Sequence, residues 1–332
     1  MHSPQASYLK ATEQPFVVSC FLVPGFSMLA LSSLIEPLRS VNRLCGEDRY
    51  RWVVTSTQKG PVSASNGLEI KATHDLDALP KADLTIIVAS LGLEHFAEAK
   101  LLSHIRWLRR QNRMFGAISN GTVLLAQAGV LDARKVTVHW ETLEPLVAAY
   151  PDLQVSSEMY QIDGNVFTAA GGAASMDMIL DLIASREGRS VAADVAEQFL
   201  HGAIRPSTDE QRPDLRWRYR LFDKRLEKAI MTMEKNCIKP IRISELAADI
   251  GVSERQLERL FLQAVCKSPS AFYLELRLER AYALMLNTSD SLEKIAENTG
   301  FSSQAHFSRA FKSWRGISPV AVRKKSRGDM SV

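Results

Sequence analysis

Two side chains in the first half of the chain have the chemistry of a nucleophile and its base. Ser119 stands in FGAISNGTVLLAQA, Phe115 to Ala128, where an apolar run gives way to a helical pattern, and His139 follows in TVHWE. A strand that turns sharply into a helix exposes the side chain at the elbow, and a hydroxyl backed by an imidazole can attack a carbonyl carbon. The same elbow aims the backbone amides of Asn120, Gly121 and Thr122 at whatever lies above it, which suits an anion equally well. A hydrolytic site also needs an acid to orient the imidazole. None is fixed by the sequence: Glu141 lies two residues past His139, and nothing requires the two to touch. Binding is therefore favoured over catalysis and no catalytic residue is assigned; Ser119 as a plain turn residue remains open.

A pocket at that elbow suits a small zwitterion. Its carboxylate would rest on the amides after Ser119, with His139 beside it, while its cation lies against an aromatic face and a carboxylate. Phe26 and Trp140 are the candidates for the face, Glu36 and Asp177 for the charge, and Gly171 and Gly172 would allow close backbone approach. Each has a plainer use as well. Core packing would explain Phe26 and Trp140, a helix cap or salt bridge would explain Asp177, and an ordinary turn would explain the glycines.

The second chemistry lies near the other end. In SSQAHFSRAFKSW, Ser302 to Trp314, the residues Phe307, Ala310, Phe311 and Trp314 recur at helical steps and form one apolar stripe. Ser303, Gln304, His306, Arg309 and Lys312 fall elsewhere on the helix, behind the turn Gly300-Phe301 and a shorter helix, Leu292 to Asn298. The plan recurs in ISELAADIGVSERQLERLFLQAV, Ile243 to Val265, with Gly251 as the turn, Ser253 as the cap, and Arg255, Gln256, Glu258 and Arg259 outward; Ser253 and Ser303 are 50 residues apart. Two helix-turn-helix units with cationic, hydrogen-bonding faces imply duplex DNA as partner. Arginine suits guanine edges and glutamine suits adenine, whereas Lys312, near a helix end, suits a phosphate. His306 fits a phosphate or a base, and Glu258 either accepts from cytosine or orients a neighbouring arginine.

The elements that must position these groups fall into two halves. Residues 1–211 hold 18 Lys/Arg against 23 Asp/Glu, a net of −5, and residues 212–332 hold 23 against 14, a net of +9, so the positive charge sits with the duplicated units. In the first half, buried strands at Phe16–Val23, Tyr50–Ser56, Leu84–Ala89 and Met114–Ile118 alternate with helices near 28–44, 97–111 and 122–128. A short strand at 136–138, a helix near 142–149, a strand pair around Gln161 and Phe167, and helices near 174–186 and 191–200 follow. Alternation of this kind predicts an α/β domain with a mostly parallel sheet, here with Pro37 kinking the first helix after Glu36. Arg205–Arg220, with two prolines and five arginines, has no apolar period and reads as a linker. Beyond it everything is helical, from Leu221 to Lys235, through both units and a long helix over 269–286 that joins them, to a basic frayed tail from Arg323. The expected domains are a disordered tail 1–14, a ligand-sensing domain 15–202, a linker 203–220, a DNA-binding domain 221–325 and a tail 326–332.

Cys20, Cys45, Cys237 and Cys266 form no CxxC pair, so neither a structural metal nor a disulfide framework is expected, and a reducing cytoplasm fits. The opening residues lack the pattern of an export signal, and the apolar run from Phe16 is broken by Pro24 and Gly25. No membrane span and no cofactor are expected.

Residues 221–325, ending in GFSSQAHFSRAFKSWRGISP, resemble the AraC/XylS family of transcription regulators. Residues 15–200 resemble the class I glutamine amidotransferase-like, PfpI-like domain that opens one branch of that family, through FLVPGFSMLALSSLIEPLRSVN, AISNGTVLLAQAGVLDARKVTVHWE and FTAAGGAASMDMILDLI. The resemblance implies a flavodoxin-like sensor domain joined to an all-α DNA-binding domain. In enzymes of the superfamily the elbow residue is cysteine; Ser119 stands there in this chain. The opening stretch is also similar to that of regulators answering to glycine betaine, carnitine or arginine. These likenesses imply an activator, dimeric through its α/β domain, that responds to a small amine or amino-acid-like effector and meets RNA polymerase. The rival from another class is an amidase or related hydrolase fused to a DNA-binding module.

Overall fold

The computed structural model of the protein describes residues 15–79, 81–90, 93, 98–211, 223–288 and 290–326. The expected tail 1–14, all of the expected tail 326–332 but Ser326, the later part of the linker, and the expected helix starts at Ala97 and Leu221 lie outside the described residues. The chain divides into two compact units, Met1–Gln211 and Arg212–Val332.

The first unit is built on a six-stranded sheet. Its strands β1 (Phe16–Leu22), β2 (Tyr50–Thr55), β5 (Leu84–Val88), β6 (Met114–Ile118), β9 (Tyr160–Asp163) and β10 (Val166–Ala169) lie in the order β2-β1-β5-β6-β10-β9. All neighbours are parallel except β9 and β10. The apolar run of β1 serves both faces by alternation: Val18, Cys20 and Leu22 enter one core, Phe21 and Val23 the other. The first core is covered by helices α1 (Met28–Cys45), α5 (Ala174–Glu187) and α6 (Arg189–Gln198). The second lies under α2 (Ala99–Arg110) and α3 (Gly121–Gln127). Helix α1 runs as one element through Pro37, with the Ser27 hydroxyl capping the Ala30 amide at 3.3 Å.

Two small pieces of sheet lie apart from the main one, and of their four strands the sequence pattern marks only the one expected over 136–138. Strands β3 (Gly60–Ser63) and β4 (Glu69–Ala72) pair as a hairpin, and β7 (Lys135–Thr137) pairs in parallel with β8 (Gln154–Ser156). In the other three strands, three or four partly exposed residues are too few to show a period.

The second unit is wholly helical among the described residues: α7 (Lys224–Lys235), α8 (Ile243–Asp249), α9 (Glu254–Val265), α10 (Pro269–Asn287), α11 (Leu292–Asn298), α12 (Gln304–Arg315) and α13 (Pro319–Ser326). It has two cores threaded by one helix. Phe272, Tyr273 and Leu276 of α10 join the core of α7, α8 and α9, while Leu278, Ala281 and Met285 join that of α11, α12 and α13. The expectation of a frayed tail from Arg323 is corrected. Through Ser326 the chain is helix α13, and the buried Arg323 guanidinium donates to the Thr288 carbonyl at 2.5 Å and the Asp290 carbonyl at 2.6 Å. It satisfies carbonyls left over where α10 ends. Among the described residues no helix is long and apolar enough to cross a membrane.

Candidate ligand site and nucleic-acid interface

Strand β6 ends at Ile118 and α3 begins at Gly121, so Ser119 turns the chain within two residues. It does so with a positive φ of 57°, a left-handed conformation that costs a non-glycine residue about 1 kcal/mol or more. The fold holds it there through its amide, which donates to the Ala169 carbonyl of β10 at 2.8 Å. The turn at 171–174 closes over the elbow. A Cβ on Gly171, itself at φ 122°, would come within 3.2 Å of the Ser119 Cβ, so glycine permits the approach. Among the described residues the Ser119 hydroxyl has no hydrogen-bond partner.

Above the elbow lies a cavity of about 410 Å³. Of the ten residues expected to bind a ligand, Ser119, His139, Trp140 and Gly172 line it. The other six have different surroundings. Asn120 Oδ1 accepts from Thr142 Oγ1 at 2.9 Å and Thr122 Oγ1 donates to the Thr137 carbonyl at 2.8 Å, so these side chains fasten α3 to its neighbours. Gly121 packs against β5, where a Cβ would lie 2.8 Å from the Ile87 carbonyl oxygen. Phe26 is fully buried in the first core. Glu36 pairs with Arg39, one helical turn away, at 2.7 Å and in solvent. Asp177 is fully buried and its charge is already met: Oδ2 accepts from Arg205 Nε at 2.9 Å and Nη2 at 2.6 Å, and Oδ1 from the Arg205 amide at 2.9 Å. His201 Nε2 stands 2.7 Å from the same Oδ1.

His139 does not lie on a strand, because β7 stops at Thr137. It caps helix α4 (Trp140–Ala149), its Nδ1 accepting from the Glu141 amide at 3.4 Å. That bond assigns the ring proton of the neutral imidazole to Nε2, which makes the free edge a donor. Burial pushes the imidazole pKa below its ordinary value, so the neutral ring is favoured. A base for Ser119 would need a lone pair on that edge, and among the described residues no carboxylate accepts from His139. In that tautomer the ring carries its N–H at Nε2.

Among the wall residues that sequence periodicity missed, Arg205 and Gln211 bring the longest polar side chains. Both fall in the stretch read as linker, and its beginning is corrected by the structure: it packs on the first unit. The Met159 amide donates to the Asp209 carbonyl at 2.8 Å, and the Gln211 amide to the Ser157 carbonyl at 3.1 Å. Asp177 carried the only signal, since a carboxylate within the apolar helix sequence ASMDMILDLI calls for a cation close by. The wall residues include no Asp or Glu, and Trp140 stays 42% exposed beside the His139 ring at 5.5 Å between centroids.

In the second unit α9 and α12 each bury a narrow stripe, Leu257 with Phe261 and Phe307 with Phe311. Arg255, Gln256, Arg259, Ser303, Gln304, His306, Arg309 and Lys312 are all exposed. Three of them also have local partners. Gln256 Oε1 accepts from the Ser253 amide at 2.9 Å in a capping box, and the Ser303 hydroxyl accepts from the His306 amide at 3.2 Å. The His306 ring meets Phe301 edge-on at 5.5 Å, with Nδ1 3.4 Å from the Ser302 hydroxyl. Among the described residues Arg255, Arg259, Arg309 and Lys312 form no ion pair, and neither does Glu258.

Comparison with known proteins agrees with this division. Residues 246–325 match the helix-turn-helix domain family and residues 19–185 the DJ-1/PfpI family. The HTH-type transcriptional regulator CdhR of Pseudomonas aeruginosa is 41% identical over 302 residues, 91% of this chain and 90% of that protein. The chain belongs to the AraC-type transcriptional regulators that carry a DJ-1/PfpI domain. HTH-type transcriptional regulator GbdR of the same species is 37% identical to this regulator over 310 residues, 93% of this chain and 84% of that one. A solved AraC family transcriptional regulator from Pseudomonas putida superimposes with a TM-score of 0.51 at 25% identity, covering 56% of this regulator and all of that chain. This regulator therefore joins a DNA-binding helix-turn-helix half to a PfpI-type α/β half. Among the described residues no cluster of His, Cys, Asp or Glu could hold a metal ion, and its four cysteines are free.

Proposed function

We propose that this regulator is an effector-responsive activator whose α/β unit binds a small amine or amino-acid-like metabolite, such as a betaine, carnitine or arginine, without transforming it. The observation that carries this reading is the cavity over Ser119: a guanidinium, an imidazole N–H and a half-exposed indole, with no carboxylate among the wall residues. Arg205 and His139 suit the carboxylate of such a ligand. Trp140 suits its ammonium, and a cation against a half-exposed indole gains about 1 kcal/mol. The tautomer of His139 favoured by the Glu141 amide argues against turnover, because an Nε2 that already carries a proton cannot take one from the serine.

On the DNA side, Arg255, Arg259, Gln304, Arg309 and Lys312 supply the freest contacts. The Gln256 amide nitrogen, Ser303 and His306 work from already ordered positions. Helix α10, with 19 residues, is about 28 Å long, on the scale of the roughly 34 Å between successive major-groove faces. The protein then works in the cytoplasm as a homodimer through its α/β unit, contacting RNA polymerase at the promoter.

A thermal-shift screen of the full chain with glycine betaine, dimethylglycine, sarcosine, carnitine and arginine tests the sensor, since a ligand of the native state raises its apparent stability. The active compound should lose about fivefold in affinity against Trp140→Ala. A normal dose response in that variant counts against the indole, and turnover of the compound, absent in Ser119→Ala, counts for a hydrolase.

A further inference from the structure

The orientation of Gln211 is set by its surroundings. Its Nε2 lies 2.8 Å from Thr137 Oγ1, 2.9 Å from the Val138 carbonyl and 3.0 Å from the Glu158 carbonyl. Carbonyl oxygens only accept, so the amide nitrogen must face them, and Oε1 must face the other way. That oxygen is buried and has no hydrogen-bond partner among the described residues, and Gln211 lines the cavity. Arg205 presents a complementary group from the same segment. Its Nε and Nη2 are taken by Asp177, which leaves Nη1 uncommitted among the described residues, and Arg205 also lines the cavity.

We infer that Arg205 and Gln211 together select the effector: a small carboxylate that also carries an O–H or N–H donor, the carboxylate on Arg205 and the donor on Gln211 Oε1. This rests on the sensor reading above and narrows it. A buried amide oxygen without a donor costs free energy, and a ligand whose only polar end is its carboxylate leaves that cost in place. A ligand with a hydroxyl or a protonated amine removes that cost and is preferred for it. Both residues belong to the segment 201–211 that ends the first unit, and Arg212 opens the second. An effector held this way ties down the last residues before the DNA-binding half. Because Asp177 orients the Arg205 guanidinium from outside the cavity wall, it is a positioning residue for the carboxylate.

Matched pairs that differ by one donor test this by calorimetric titration of the full chain. Carnitine is paired with 4-trimethylammoniobutanoate, which lacks only the hydroxyl, and dimethylglycine, protonated at neutral pH, with glycine betaine. In each pair that binds, the donor-bearing member should be tighter by about tenfold, and in Gln211→Met that ratio should fall to about one. In Arg205→Gln the preference for a free carboxylate over its methyl ester should vanish. If Gln211→Met does not fold, the wild-type pairs still decide. Equal affinity within every pair that binds overturns the donor requirement and leaves the sensor reading standing. If neither these four compounds nor arginine binds, the sensor reading falls, and this inference with it.

Discussion

The two turn glycines of the DNA-binding unit provide a controlled experiment. Gly251 and Gly300 occupy equivalent places in the two helix-turn-helix units and have nearly the same backbone, φ 72° and φ 71°. Their surroundings differ. A Cβ on Gly251 would meet nothing within 4 Å, whereas on Gly300 it would lie 2.6 Å from both Cγ and Cδ of Pro240 and 2.7 Å from the Cys237 carbonyl oxygen. Alanine at either site costs about 1 kcal/mol for the left-handed backbone. At Gly300 overpacking against a proline ring and a main-chain oxygen adds about 1–3 kcal/mol. Gly300→Ala should therefore lose about 2–4 kcal/mol and Gly251→Ala about 1. For a unit of this size the difference corresponds to at least 4 °C or so in melting temperature. Thermal melts of the full chain, followed by helical circular dichroism, read it directly. Equal losses would show that Gly300 does not seat the second reader against the loop after α7, and that nothing beyond α10 fixes their relative phase.

Two further outcomes follow from the same geometry. Arg309→Ala should weaken specific DNA binding by about 1–3 kcal/mol if the side chain reads a base, measured by anisotropy against a matched duplex and one altered at that base; an identical loss for both duplexes assigns it to a phosphate. For His139, burial lowers the folded-state pKa, so below its ordinary 6.5 the unfolded chain takes up a proton that the folded one refuses. Stability should fall with pH from about 6.5 until the folded pKa is passed, and His139→Asn should flatten that fall; His104, shifted the same way by burial, accounts for a separate part. An unaltered pH profile in His139→Asn would contradict the buried neutral ring.

The sheet strands and the two readers were legible because each obeys a period that burial enforces. β1, β5 and β6 are covered on both faces and so read as unbroken apolar runs, and the paired Ser caps and Gly turns mark the helix-turn-helix units without ambiguity. The elbow was legible for the same reason, since an apolar strand runs straight into a helical pattern. The ligand wall was not. Arg205 and Gln211 belong to an irregular segment held by main-chain bonds and one buried carboxylate, and such partnerships leave no periodic trace. For Phe26 and Asp177 the sequence left two uses open because residue type alone does not reveal a partner, and the plainer use holds in both: the ring is core, and the carboxylate is neutralised by an arginine 28 residues on. Arg323 reads as the start of a solvated tail because Lys324 and Lys325 follow it directly, yet its guanidinium closes the end of α10.

The decisive measurement is an anisotropy titration of the full chain against duplex DNA at fixed low salt, with and without the compound found in the thermal screen, while the compound itself is assayed for loss. An effector-controlled reader binds the duplex, changes its affinity or preferred site when the compound is added, and returns the compound intact. Indifference to DNA in both states, or consumption of the compound at enzymatic rates through Ser119, would contradict it.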